Sequence, residues 1–176
     1  MCSSDLIVFF DVRQGDSTLI TTPDGRHILV DGGVCRTDWN RYDAAERVIL
    51  PFLRKEGIRR LDLVIGTHPD FDHIGGLSTV LADERIGVGC YLDPGKDHDT
   101  QVYRRLLKKV EARGIPYRKG RAGMKLNLGP GVEAEILSPH NLLENTNDCS
   151  IVLRVRHGRV SFLLTEIGRA SCRERV

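Results

Sequence analysis

The sequence predicts a single α/β domain built as stacked layers of strands and helices. Three observations carry this. Short apolar runs separated by turn residues open the chain, helical stretches with one apolar stripe alternate with buried strands in the middle, and further strands close it. The chain has 176 residues, 40% of them hydrophobic, enough for one domain with a sizeable core.

Taken in order, Ile7–Val12 and Ser17–Thr21 read as strands, and Pro23-Asp24-Gly25-Arg26 is a β-turn leading to a third strand, His27–Asp31. A helix is expected over Tyr42–Gly57, with Ala45, Val48, Ile49, Phe52 and Leu53 on one face, a kink at Pro51 and a stop at Gly57. Leu61–Thr67 reads as a buried strand, and Gly75–Ala82 starts a short helix. Val88–Leu92 is a strand, followed by a helix over Thr100–Arg113 with Thr100 as its cap and Val102, Leu106, Leu107 and Val110 on one face. Met124–Leu126, Val132–Leu137, Ser150–His157 and Val160–Thr165 complete the strands, the last two joined by the tight turn His157-Gly158-Arg159.

Chemistry concentrates in Thr67-His68-Pro69-Asp70-Phe71-Asp72-His73-Ile74-Gly75-Gly76, directly after the apolar run Leu61–Ile65. Imidazoles and carboxylates packed this densely beside a buried strand need a compensating partner. An acidic surface loop is the plainer alternative. Two metal ions fit the spacing better. His68 and Asp70 are two residues apart and point the same way in an extended loop, so they are assigned to one ion. Asp72 and His73, at the turn into the next helix, are assigned to the other, with Asp72 also a candidate catalytic base. Two divalent ions would lower the pKa of water toward about 7 and stabilise charge on a hydrolytic transition state. Carboxylate beside imidazole suits manganese as well as zinc.

The pattern His68-x-Asp70-x-Asp72-His73-Ile74-Gly75-Gly76 resembles the metal motif of the metallo-β-lactamase fold, and more narrowly the hydrolase domain of the ComEC competence proteins. Phe10-Asp11-Val12-Arg13-Gln14-Gly15-Asp16-Ser17, Leu29-Val30-Asp31-Gly32-Gly33, Asn147-Asp148-Cys149-Ser150-Ile151-Val152-Leu153 and Phe162-Leu163-Leu164-Thr165 resemble further motifs of that family in the same order. The resemblance implies an αββα sandwich, here incomplete, holding the N-terminal half and part of the second half. It implies that Asp31 sits near the metals and acts in catalysis by orienting a ligand, the alternative being a turn Asp before Gly-Gly. It places Gln14 and Asp16 toward the site in the first turn, although the family has Gly where this chain has Arg13, a strained replacement if that turn needs a positive φ. Asn147 and Ser150 are candidate cleft residues or, equally, caps of a strand entrance. The resembled fold's third metal motif supplies another His, for which His140 is the candidate; it is read rather as a loop histidine, because the family tends to have proline there. His27, His98 and His157 are read as solvated.

Both ends depart from this pattern. Met1 to Leu6 and Ile167 to Val176 match translated sequencing adapters, with Glu166 a hybrid codon, so residues 1–6 and 166–176 are expected to be non-biological and the hydrolase domain to span 7–165. The family places a metal-bridging Asp just after Thr165, where this chain has turned to Glu166. The chain is therefore expected to be a fragment that lacks this Asp, and membrane helices like those of ComEC proteins are expected upstream if the parent has them. On that reading the protein is membrane-associated within a ComEC-like parent and cytoplasmic if free-standing.

The formal net charge of +2 is near neutral and says little about partners. Of the cysteines, Cys35, Cys90 and Cys149 remain once the ends are set aside, too few and too scattered for a disulfide framework. No apolar run reaches the ~20 residues of a membrane span. The basic residues Arg54, Lys55, Arg59, Arg60, Arg104, Arg105, Lys108, Lys109, Arg113, Arg118, Lys119 and Arg121 could follow a nucleic-acid backbone but read more simply as solvated faces. The leading expectation is a metal-dependent hydrolase with zinc or manganese, acting on phosphodiesters, with nucleic acid as the expected substrate. A hydrolase of another ester (a phosphocholine ester or a lactone) and an inactive interaction module are the competing readings. Oligomeric state is not legible.

Overall fold

The computed structural model describes residues 6–39, 41–145 and 147–165. The readings placed on residues 1–5 and on 166–176, Glu166 included, lie outside the described residues.

Strands β1 (Leu6–Phe9), β2 (Thr18–Thr21) and β3 (His27–Val30) form the expected meander. Asp24 and Arg26 close its turn with a 3.0 Å ion pair. A π-helical turn, Ala45–Ile49, then runs into α1 (Leu50–Lys55). Pro51 therefore lies at the start of α1, where the π-turn passes into the α-helix.

The expected strand Leu61–Thr67 is two strands, β4 (Arg60–Leu61) and β5 (Leu63–Ile65). Asp62 breaks the ladder, because its N–H donates to the His27 carbonyl at 2.7 Å and its carboxylate accepts from the His27 N–H at 3.0 Å. Helix α2 (Phe71–Val80) begins four residues before Gly75, so Asp72 and His73 stand in its first turn rather than in a loop. A carboxylate there is favourable beside the helix N-terminus. β6 (Gly87–Val88) pairs with β4, and β7 (Tyr91–Asp93) pairs with β5, so the expected strand Val88–Leu92 is also divided.

Helix α3 (Gln101–Ala112) carries the predicted cap, with Thr100 Oγ1 accepting from Tyr103 N at 3.3 Å. β8 (Tyr117–Lys119) escapes sequence reading because all three of its residues are exposed and no apolar alternation marks it. β9 (Lys125–Asn127), β10 (Val132–Ser138), the 3₁₀ turn Asn147–Cys149, β11 (Val152–His157) and β12 (Val160–Leu164) follow.

One sheet runs β1-β2-β3-β5-β7-β8, antiparallel in its first three strands and parallel beyond; the second is antiparallel, in the order β12-β11-β10-β9. The two-residue side-chain period of the first sheet sorts its core into two. Leu19, Leu29, Val64 and Tyr91 face the helices with Ile49, Leu53, Ile74, Leu77 and Leu106. Ile20, Ile28, Val30, Leu63, Ile65 and Leu92 face the second sheet with Leu126, Ile136, Ile151, Leu153 and Val155. This gives helices, sheet and sheet in three layers. The outer face of the second sheet carries the cross-strand pairs Glu135–Arg154 and Glu133–Arg156, and no helix covers it among the described residues. No helix among the described residues is long and apolar enough to cross a membrane.

His27 is a correction to the solvated reading. It is half-buried on β3, its Nδ1 is 3.1 Å from Thr21 Oγ1, and burial lowers its pKa. Arg113 is structural, its guanidinium donating to the carbonyls of Leu81 (3.0 Å) and Ile86 (2.8 Å).

Candidate metal centre

Parallel strands β3, β5 and β7 end on one edge of the sheet, where their following loops gather. Asp31 directly follows β3, and Thr67 and His68 follow β5 by two and three residues. Open α/β sheets bind ligands at the carboxyl ends of parallel strands.

The glycines of the two motifs bring these loops together. The α2 backbone rests directly on the Asp31-Gly32-Gly33 turn: Gly32 N donates to the His73 carbonyl at 2.7 Å, and Gly76 N donates to the Gly33 carbonyl at 2.8 Å. A Cβ on Gly76 would lie 2.0 Å from the Gly32 oxygen, so only glycine allows this approach. Asp31 itself adopts a left-handed φ of 58°, a conformation costing on the order of 1–2 kcal/mol for a non-glycine residue.

The Asp31 carboxylate is buried and anchors the centre. It accepts from Thr67 N at 2.8 Å, Thr67 Oγ1 at 2.6 Å and His73 Nδ1 at 2.9 Å. Thr67 Oγ1 has one proton, and that proton goes to Asp31. The same oxygen, 3.1 Å from His68 Nδ1, therefore accepts from that nitrogen. Both buried imidazoles thus carry their proton on Nδ1 and present Nε2 as the basic nitrogen, the tautomer a metal ligand needs. Their ring centroids are 4.0 Å apart.

Asp70 takes the N-cap position of α2 in extended conformation, yet its carboxylate makes no cap hydrogen bond. Its Oδ2 lies 3.6 Å from His68 Nε2. Two ligand atoms each about 2.0–2.2 Å from one ion at a tetrahedral angle stand roughly 3.4 Å apart, so the pair is spaced to share an ion. Asp72 Oδ2 accepts from Gln14 Nε2 at 3.3 Å. Among the described residues, no three His, Cys, Asp or Glu side chains converge closely enough to enclose an ion as they stand. The donors are nitrogen and carboxylate oxygen, which suit zinc and manganese.

The remaining predicted residues fall around this core. Gln14 is exposed and reaches Asp72. Asp16 is exposed, and its carbonyl accepts from Gly33 N at 3.0 Å. Arg13 has a φ of 72°, so the turn does require the left-handed conformation that glycine would adopt freely. Asn147 is half-buried on the 3₁₀ turn. Ser150 is buried, and its hydroxyl makes no hydrogen bond among the described residues. Its neighbour Ile151 donates to the Thr67 carbonyl at 2.8 Å, which sets this segment beside His68. His140 is exposed in a loop.

Sequence reading missed the role of the Thr67 hydroxyl, although Thr67 stood inside the motif. It also missed Asp93, buried at the end of β7, which accepts from Tyr103 Oη at 3.1 Å, Tyr117 Oη at 2.8 Å and Gly95 N at 2.6 Å. Burial raises the pKa of Asp93 and, together with the nearby carboxylate, those of Tyr91, Tyr103 and Tyr117. His68, Tyr91, Asp93, Lys96 and Tyr103 line one small cavity, so this cluster backs the centre.

Comparison with known proteins agrees with this architecture. The metallo-beta-lactamase superfamily profile matches residues 10–162. Recombination protein 2 of Haemophilus influenzae is 35% identical over 157 residues, covering 88% of this chain and 17% of the relative. ComE operon protein 3 of Bacillus subtilis is 28% identical over 180 residues, covering 94% of this chain and 22% of the relative. The chain thus spans about a fifth of the length of these curated relatives. Among solved structures, CmlA, a diiron β-hydroxylase from Streptomyces venezuelae, superposes with a TM-score of 0.55 at 19% identity, covering 91% of this chain and 29% of that one. That likeness shows the fold alone. Most members of the matched superfamily are hydrolases, and the chain belongs to the metallo-beta-lactamase superfamily.

Proposed function

We propose that the loop His68–His73 is the metal centre of a phosphodiester hydrolase that acts on DNA in a competence-related setting. The observation that carries this reading is the Asp31–Thr67 network, which fixes both His68 and His73 with Nε2 as the basic nitrogen. His68 and Asp70 would hold one divalent ion and Asp72 and His73 a second, zinc or manganese. Such ions supply Lewis acidity and a lowered water pKa when bound. Asp31 and Thr67 hold the imidazoles in orientation, Gln14 donates to Asp72, and Asp72 would take the proton of an attacking water. Asn147 and Ser150 border the cleft beside Thr67. Among the described residues each ion would have two of these side chains as ligands, and a catalytic zinc site keeps three protein ligands. The similarity to two competence and recombination proteins supports DNA as the substrate class.

The test is a substrate panel on the chain loaded with manganese or zinc. A DNA oligonucleotide should be cut, and Asp70→Ala should abolish cutting. Turnover of a lactone or a phosphocholine ester with DNA untouched would overturn the substrate assignment.

A further inference from the structure

Trp39 is 74% exposed, the most exposed of the large hydrophobic side chains among the described residues. It does not stand alone. Its ring sits 4.5 Å from that of Phe71, tilted by 53°. Phe71 lies between Asp70 and Asp72 and is the first residue of α2, so this aromatic shelf borders the candidate metal centre. Three residues along, the Tyr42 ring lies under Arg13, with the guanidinium carbon 4.2 Å from the ring centroid. The Arg13 backbone N–H donates to Asp11 Oδ1 at 3.3 Å, its guanidinium has no carboxylate partner among the described residues, and its neighbour Gln14 reaches Asp72. Trp39 and Tyr42 therefore tie one segment to both loops of the centre, with an open indole face at Trp39 and the Arg13 guanidinium stacked on Tyr42.

We propose that Trp39 is a nucleobase-stacking platform that selects single-stranded DNA at this centre, with Arg13 receiving a backbone phosphate. A planar base needs an aromatic face, its phosphate needs a cation, and both stand at the rim of a site placed to act on a phosphodiester. Stacking on an exposed ring demands an unpaired base, because a duplex buries its base faces. The proposal rests on the hydrolytic reading of the His68–His73 loop and adds to it the form of the strand.

Trp39 is the one tryptophan of the chain, so its emission reports this position alone. The chain is titrated with oligodeoxythymidylate in EDTA, where nothing is cut. Saturable quenching is expected, with no quenching by an abasic strand of equal length or by duplex DNA. Anisotropy of a labelled strand should show Trp39→Ala binding about tenfold more weakly and Trp39→Phe close to the parent. Quenching by the abasic strand or the duplex equal to that by oligothymidylate overturns the proposal, as does unchanged strand affinity in Trp39→Ala. Metal uptake measured on the same preparations keeps the two readings apart. Failed uptake with intact quenching removes the centre, whereas intact uptake without quenching removes the platform.

Discussion

The carboxylate of Asp31 lies 2.9 Å from Nδ1 of His73, across 42 residues of sequence. This contact joins the strand–turn motif at β3 to the first turn of α2, and the same carboxylate also takes both donors of Thr67. Replacing Asp31 with Ala leaves two N–H groups and one hydroxyl without their acceptor in a buried place. At about 1–3 kcal/mol for each unsatisfied buried donor, urea denaturation should show a loss of at least about 2 kcal/mol. Metal affinity, followed by calorimetric titration, should fall roughly 10- to 100-fold. Unchanged affinity would mean that the imidazoles do not depend on this anchor.

Gly76 and Gly57 predict different costs for the same substitution. At Gly76 an added methyl meets the Gly32 carbonyl at 2.0 Å, so Gly76→Ala must push α2 off the Asp31 turn. About 3 kcal/mol of stability should be lost, with weaker metal uptake as the Asp31–His73 contact stretches. At Gly57 nothing lies within 4 Å, but φ is 71°. Gly57→Ala should cost only about 1 kcal/mol from backbone strain and leave metal uptake untouched. Equal losses in the two variants would contradict the close packing at Gly76.

Asp93 predicts a pH dependence of opposite sign to that of most surface carboxylates. Burial raises its pKa above 3.8, and the hydrogen bonds from Tyr117, Gly95 and Tyr103 only partly offset this. The folded state therefore favours the protonated carboxyl. The stability that this contributes is fully present below pH 3.8 and is lost as pH rises through the raised folded value. Urea denaturation across that window should show the parent losing stability relative to Asp93→Asn as pH increases. A difference that grows in the parent's favour would refute the burial argument.

Much of the fold was legible because local pattern and global layers agree. The alternation Leu19/Ile20 and Ile28/Leu29 splits between the two core faces as a strand period requires, and the Thr100 cap is in place. The start of α2 was placed four residues late because Phe71–Ile74 was read with the ligand loop; the missing side chains of Gly75 and Gly76 let the helix touch the Gly32–Gly33 turn. β8 was missed because a short exposed edge strand has no apolar signature.

At the site, His68 to His73 stood out through density and spacing. The Thr67 relay, the Asp93 cluster and the Trp39–Phe71 pair depend on contacts between separated segments, such as Tyr103 to Asp93 and Trp39 to Phe71, that only folding creates. Arg13 is an intermediate case. Its strain was anticipated from the family resemblance, and its φ of 72° is the physical content of that anticipation.

The central claim is that His68, Asp70, Asp72 and His73 hold divalent metal, and metal uptake tests it most directly. The metal-stripped chain and its His68→Ala and His73→Ala variants are titrated with zinc and with manganese, and bound metal is quantified by elemental analysis after removal of free ion. The account predicts saturable uptake by the parent and at least about tenfold weaker binding in each variant, with both variants still folded by circular dichroism. Uptake by folded variants that matches the parent's would contradict it.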